Sequence, residues 1–268
     1  MNKLTNKVAI VTGAWRGIGA GIAQVLAREG AKVILTDLSE AVQETAQEIS
    51  NAGHSAIAFK MNVSDTDQVN RVVQEAWTKF GRVDILVNNA GIYPRCNLID
   101  MSDVFLRTMF DVNVYGMFRC ARAVLPIMMK QRYGKMVNMS SVTGPFVADP
   151  TGRQTAYAAS KAAVLGFTTA LALEVAQYGV NVNCICPGHI DTPGGREQTS
   201  EPGYPDKDVE RLGSTIPMCR LGTPEEVGEL VAFLASDESK YLTGRHIVID
   251  GGNIIQETYR GPYTPLNH

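Results

Sequence analysis

Short apolar runs alternate along the chain with longer stretches in which apolar residues recur every three or four positions. The first run is Val8-Ala9-Ile10-Val11. Unbroken apolar character of this kind suits a parallel strand buried on both faces. A helical pattern follows through Ile22, Val25 and Leu26 and stops at Gly30, a residue type that ends helices. The alternation repeats, with strands predicted over 32–36, 56–60, 84–87, 135–139, 180–186 and 245–250. Helices are predicted over 39–52, 65–80, 101–132, 157–178 and 223–235. Ser64 or Asp65 would cap the second of these, and Thr223-Pro224-Glu225-Glu226 opens the last with a cap, a proline and two acids. Pro126 is expected to bend or reset the 101–132 helix. Strands alternating with helices of this length make βαβ units. The fold class is α/β, a doubly wound sheet of about seven parallel strands with helices on both faces.

Composition narrows the function classes. The 268 residues are 45% apolar and 19% charged, with a net charge of -2. A nucleic-acid binder would be basic. No apolar run reaches the length of a membrane span, and the N-terminus shows no signal-peptide core. The expectation is a cytoplasmic protein without nucleic-acid or membrane partners. The five cysteines lack metal-ligand spacing. Cys184 and Cys186 are expected on opposite faces of their strand, and so poorly placed to pair. No linker or repeat divides residues 1–268, which read as one domain. Residues 189–215 form the least regular segment and read as a substrate lid.

Ligands of parallel sheets bind beyond the carboxyl ends of the strands. Gly13, Asp37, Asn62 and Asn89 all fall there. Gly13, Gly17 and Gly19 form a G-x-x-x-G-x-G turn between strand and helix. Such a turn presents backbone N–H groups and a helix N-terminus to a phosphate. Asp37 lies 24 residues beyond Gly13, where a carboxylate accepts from ribose hydroxyls. It would repel a 2′-phosphate, which favours NAD over NADP; Arg16, inside the turn, is the counter-signal. Tyr157 and Lys161 are four residues apart, one helical turn. An ammonium beside a phenol favours the phenolate, so the pair is expected to lower the Tyr157 pKa toward working pH. Asn113 is an unusual choice for a helix interior without a polar task.

These motifs together resemble the short-chain dehydrogenase/reductase family over essentially the whole chain. They are T-G-A-W-R-G-I-G at 12–19, N-N-A-G at 88–91, Asn113, Ser141, Y-A-A-S-K at 157–161, P-G-H-I-D-T at 187–192 and F-L-A-S-D-E-S-K-Y-L-T-G at 233–244. The resemblance implies a Rossmann-like fold, a homotetramer and the following roles. Tyr157 is the general acid/base, Lys161 lowers its pKa and binds the nicotinamide ribose, Ser141 orients the substrate oxygen, and Asn113 holds a water in a proton relay. Gly13, Arg16, Gly17, Ile18 and Gly19 wrap the pyrophosphate and adenosine. Asp37 and Leu38 take the adenosine ribose, Asn62 and Val63 the adenine, Asn89 a further cofactor contact, and Pro187, Ile190 and Thr192 the nicotinamide end.

One departure concerns specificity. Ser141 and Tyr157 are 16 residues apart (157 minus 141), a longer separation than in related reductases, with the extra length at 149–153. The expected reaction is hydride transfer between NAD and a secondary alcohol or ketone. Arg95, Arg153 and His189, with Arg196, would line the pocket and suit a sugar, polyol or hydroxy acid bearing an acidic group. Two rival readings are an NADP-dependent 3-oxoacyl reductase and a non-catalytic NAD-sensing scaffold. The tail after Gln256 would reach a neighbouring subunit.

Overall fold

The computed structural model describes residues 2–149, 152–199 and 209–256. Pro150 and Thr151 of the lengthened loop, residues 200–208 of the expected lid, and the tail from 257 onward lie outside the described residues. The elements run β1 (Val8–Thr12), α1 (Gly17–Arg28), β2 (Lys32–Asp37), α2 (Val42–Asn51), β3 (Ala56–Lys60), α3 (Thr66–Phe80), β4 (Ile85–Asn88), α4 (Asp103–Phe110) and α5 (Gly116–Gln131). They continue with β5 (Gly134–Met139), α6 (Thr155–Val175), β6 (Val180–Pro187), α7 (Pro193–Thr199), α8 (Val209–Ser214), α9 (Pro224–Ala235) and β7 (His246–Ile249). The seven strands form one sheet in the order β3-β2-β1-β4-β5-β6-β7, every pairing parallel. The order reverses between β1 and β4, which opens a crevice at their carboxyl ends.

Alternation along each strand distributes the core to both faces. Ala9 and Val11 of β1 pack in one buried cluster with Ile22, Val25 and Leu26 of α1 and Val227 and Val231 of α9. Val8 and Ile10 turn to the other face, to Val69 and Val72 of α3, Val124 and Met128 of α5, and Leu171 and Val175 of α6. The helices α1 and α9 approach so closely that a Cβ on Gly21 would lie 2.5 Å from the Pro224 Cβ. Asp65 is the cap of α3, accepting from the N–H groups of Asp67 and Gln68. The capping box predicted at Thr223 and Glu226 is present.

Four expectations are corrected. Cys184 and Cys186 share a face, since residues two apart on a strand point the same way; their sulfurs are 4.0 Å apart, in a cluster with Met117 and Val164. Pro126 does not reset its helix, which continues to Gln131. The interruption in this region is a π-turn over Asp111–Tyr115 instead, the irregularity that accompanies functional sites. The 189–215 segment contains two short helices, α7 and α8. Finally, the segment Thr155–Tyr178 is long and apolar enough to cross a membrane by composition, although its residues Val164, Leu171 and Val175 are buried in the core.

Candidate active site

At the end of β1 the chain turns through Gly13 and Gly17, which lie at φ 64° and 60°, a region glycine enters without strain. Gly19 has no space for a side chain: a Cβ there would sit 2.0 Å from the Gly13 carbonyl oxygen. The segment after β4 braces the turn. Asn89 Nδ2 donates to the Thr12 and Gly13 carbonyls at 2.9 and 2.8 Å. Thr12 Oγ1 accepts from the N–H groups of Asn89 and Ala90, each at 3.0 Å. The Asn89 amide is therefore engaged by the turn itself and shapes it from beneath. Ile18 faces the cavity described below.

At the end of β2, Asp37 Oδ2 accepts from the Trp15 N–H at 3.1 Å and Oδ1 from the Ser39 N–H at 2.9 Å. These bonds aim the carboxylate at the glycine turn, with Leu38 exposed next to it. After β3, Asn62 Oδ1 accepts from the Ser64 N–H at 2.9 Å, and Val63 is buried against Gly116. Arg16 is turned to Glu197 of α7 in a two-pronged contact at 2.6 and 3.0 Å.

The π-turn carries Asn113 inward, where it is buried. Its Oδ1 accepts from the Ile92 N–H, and its Nδ2 donates to the Ile92 carbonyl, both at 2.8 Å, and to Ser160 Oγ at 3.1 Å. The amide thus ties the segment after β4 to the helix bearing Tyr157. Ser141 follows β5, and its Oγ accepts from the Thr143 N–H at 3.1 Å. Ser141 and Tyr157 line one cavity, with the serine close enough to act on the phenol. Lys161 Nζ donates to the Met139 carbonyl at 2.9 Å and lies 5.7 Å from the Tyr157 ring centre. Pro187 closes β6, Ile190 bridges to Gly222, and Thr192 Oγ1 accepts from the Gly195 N–H at 3.0 Å.

The expected lowering of the Tyr157 pKa is not what the site shows. Burial pushes the phenol up to about 12, opposed by the Ser141 hydrogen bond, and Lys161 is not among the groups that lower it. Burial also pushes the Lys161 ammonium down to about 8. Desolvation penalises the charged form of both groups, and here it outweighs their mutual effect. At pH 7 the Tyr157 phenol is neutral. Lys161 provides a check on this balance. Its proton is lost near 8 in the folded chain and near 10.5 in the unfolded one. Between those values the unfolded chain binds more protons, so stability rises with pH. Urea unfolding at pH about 7 and about 9.5 should show about 2 kcal/mol of this rise in the wild type that Lys161→Met lacks. Equal slopes in the two proteins would remove the assignment.

A cavity of about 200 Å³ opens on Ser141 and Tyr157 and is lined also by Tyr93, Arg95, Asp149, His189, Ile190, Thr192 and Arg196. Arg95 and Asp149 pair at 3.1 Å, with side chains only 4% and 12% exposed. Arg196 grips Asp191 with two bonds of 2.7 Å. Burial lowers the His189 pKa, which leaves the ring neutral at pH 7. Arg153 does not line the cavity; its carbonyl accepts from the Cys96 N–H at 3.0 Å. Sequence reasoning missed Tyr93, whose ring meets Tyr157 edge-on at 6.5 Å; its place two residues after N-N-A-G was the available signal. Asp149 and Glu197 lie in the two segments the sequence marked, 149–153 and 189–215, but their partners are remote in the chain and left no signal. Among the described residues no cluster of His, Cys, Asp or Glu could hold a metal.

A glycine-rich turn, an acid at the end of the second strand, and Ser141, Tyr157 and Lys161 at one crevice define a dinucleotide-dependent oxidoreductase. The chain belongs to the short-chain dehydrogenase/reductase family, whose members work with a nicotinamide cofactor. A family profile described as Enoyl-(Acyl carrier protein) reductase matches residues 13–253. The chain is 48% identical over 260 residues to Oxidoreductase UcpA of Salmonella typhimurium, covering 96% of this chain and 98% of that one. It is 42% identical over 254 residues to the 3-oxoacyl-[acyl-carrier-protein] reductase FabG of Thermotoga maritima, covering 94% and 100%. The crystal structure of levodione reductase superposes with a TM-score of 0.88 at 33% identity, covering 95% and 100%.

Proposed function

We propose that this enzyme transfers a hydride between NAD(H) and a secondary alcohol or its ketone. The observation that carries this reading is the cavity beyond the carboxyl ends of the strands, whose wall holds Ser141 and Tyr157 together. The nicotinamide, when bound, supplies or accepts the hydride. Tyr157 gives a proton to the carbonyl oxygen or takes one from the alcohol, and Ser141 orients that oxygen. Lys161 binds the nicotinamide ribose and, with a water held at Asn113, passes protons onward. Gly13, Gly17, Gly19, Ile18 and Arg16 surround the pyrophosphate. Asn62, Val63 and Leu38 border the adenosine, and Pro187, Ile190 and Thr192 the nicotinamide.

Asp37 supports NAD over NADP, because a carboxylate aimed at the ribose pocket repels a 2′-phosphate. The cavity supports a neutral, hydroxylated substrate such as a sugar or polyol. Its guanidinium groups at Arg95 and Arg196 already face aspartates, and His189 is neutral. This argues against the acidic group that the arginines alone had pointed to. A second reading, NADP-dependent reduction of a 3-oxoacyl group, is favoured by the name of the Thermotoga maritima relative and opposed by Asp37. The presence of Asn113, Ser141, Tyr157 and Lys161 at one site opposes a non-catalytic scaffold. Exposed apolar side chains at Val104 and Phe118 on α4 and α5, with Leu173 and Tyr241 elsewhere, support assembly of a homotetramer. The cytoplasm is the compartment that fits cysteines without a disulfide among the described residues.

The test is a set of initial rates with NAD and NADP on matched secondary alcohols, neutral (butane-2,3-diol, xylitol) and acidic (2-hydroxybutyrate, gluconate). Turnover with NAD on the neutral set, at least tenfold above the acids, is expected from the pairing of both pocket guanidinium groups with aspartates, the Arg95 pair being buried. Preference for NADP and a 3-oxoacyl thioester would replace this reading with the second one.

A further inference from the structure

Arg16 stands at the first turn of α1, in the crevice that receives the adenosine. Both prongs of its guanidinium are held by Glu197, Nη1 to Oε1 at 2.6 Å and Nη2 to Oε2 at 3.0 Å. Its plane also lies 4.9 Å from the Trp15 ring centre. Asp37 is near enough to act on the Arg16 charge and accepts from the Trp15 N–H. The one cation in the glycine turn is therefore held by Glu197 and also felt by Asp37, two carboxylates remote from each other in the chain.

Glu197 is placed there by α7, and α7 is fixed at its other end by close packing. A Cβ on Gly17 would touch Thr192 at 3.4 Å, and a Cβ on Gly194 would meet Tyr93 Oη at 1.9 Å. Tyr93 in turn meets the Tyr157 ring. Arg196, one residue before Glu197, is tied to Asp191, so it does not compete with Arg16 for the Glu197 carboxylate.

We infer that Glu197 is a second determinant of cofactor choice: it holds Arg16 and so denies a 2′-phosphate its guanidinium partner. The inference rests on the NAD reading above and deepens it. A 2′-phosphate beside Asp37 would have to draw Arg16 from Glu197 and would leave that carboxylate facing it. NADH, with a neutral 2′-hydroxyl, makes no such demand. The bidentate form of the contact is the geometry a phosphate would otherwise use, so the two are direct competitors. The pair is 41% and 62% exposed, so its effect is modest.

The experiment is fluorescence titration of the full-length protein with NADH and NADPH, in wild type, Glu197→Gln and the double variant Arg16→Ala/Glu197→Gln. Glu197→Gln should bind NADPH about fivefold more tightly and NADH within about twofold of wild type. The double variant should lose the NADPH gain, because the freed guanidinium is what delivers it. Equal changes for both cofactors would show that Glu197 merely holds α7 in place and would overturn the inference, as would an unchanged NADPH affinity. A wild type that binds NADPH more tightly than NADH would overturn the NAD reading itself, and this inference with it. NADH preference with an unresponsive Glu197→Gln would overturn only the inference.

Discussion

Tyr157→Phe is expected to lower kcat by about a thousandfold, within the range for losing a positioned acid or base. NADH affinity should stay within about twofold of wild type, because a phenyl ring preserves the packing and removes only the hydroxyl. The ring meets Tyr93 edge-on, a contact Phe retains. The Tyr157 hydroxyl stands with Ser141 in the cavity wall. Stopped-flow and steady-state rates with the best substrate from the NAD panel measure the first effect, and fluorescence titration the second. Retention of more than about a tenth of the wild-type kcat would transfer the acid/base role to another residue. A variant that loses NADH binding as well would make Tyr157 a structural element of the cofactor site.

The largest structural effect is expected from Gly19→Ala. The added methyl would lie 2.0 Å from the Gly13 carbonyl oxygen, 2.5 Å from Asn89 Nδ2 and 2.8 Å from the Gly13 carbonyl carbon. Two of these three neighbours are backbone, and the third is pinned to the Thr12 and Gly13 carbonyls, so none yields easily. Forcing extra atoms into a packed site costs about 1–3 kcal/mol, which lowers Tm by about 2–12 °C in a chain of this size. The turn must also open, so NADH affinity should fall at least tenfold. Gly166→Ala, exposed on α6 with nothing within 4 Å of its new methyl, should instead be neutral or stabilising by up to about 1 kcal/mol. Differential scanning calorimetry and NADH titration of both variants measure this. A Gly19→Ala protein that melts with the wild type and binds NADH normally would show that the turn is not built as described.

What could be read from the chain follows the range of the interactions involved. Strands and helices were legible because their signals lie within a dozen residues: an apolar run, a recurring spacing, a cap such as Asp65 or Thr223. The glycine turn was legible for the same reason, since Gly13 and Gly17 need their backbone angles for local geometry. The Cys184 and Cys186 orientation was equally legible, and strand periodicity applied correctly puts both on one face. Asn113 stood out as a polar residue in a helix, but the π-turn that aims it depends on its hold on Ile92 and Ser160.

Tertiary structure alone decided the charges. The sequence shows Arg95 and Arg16 as cations and is silent on their partners, which lie 54 and 181 residues away. Folding brings Asp149 and Glu197 to them, and a guanidinium beside a carboxylate does different work from a bare one. The same holds for Tyr157 and Lys161. Their spacing of one helical turn is written in the sequence and names the pair. The direction of their pKa shifts follows from how much water the surrounding strands and helices exclude, a property of the packed whole that no local pattern records.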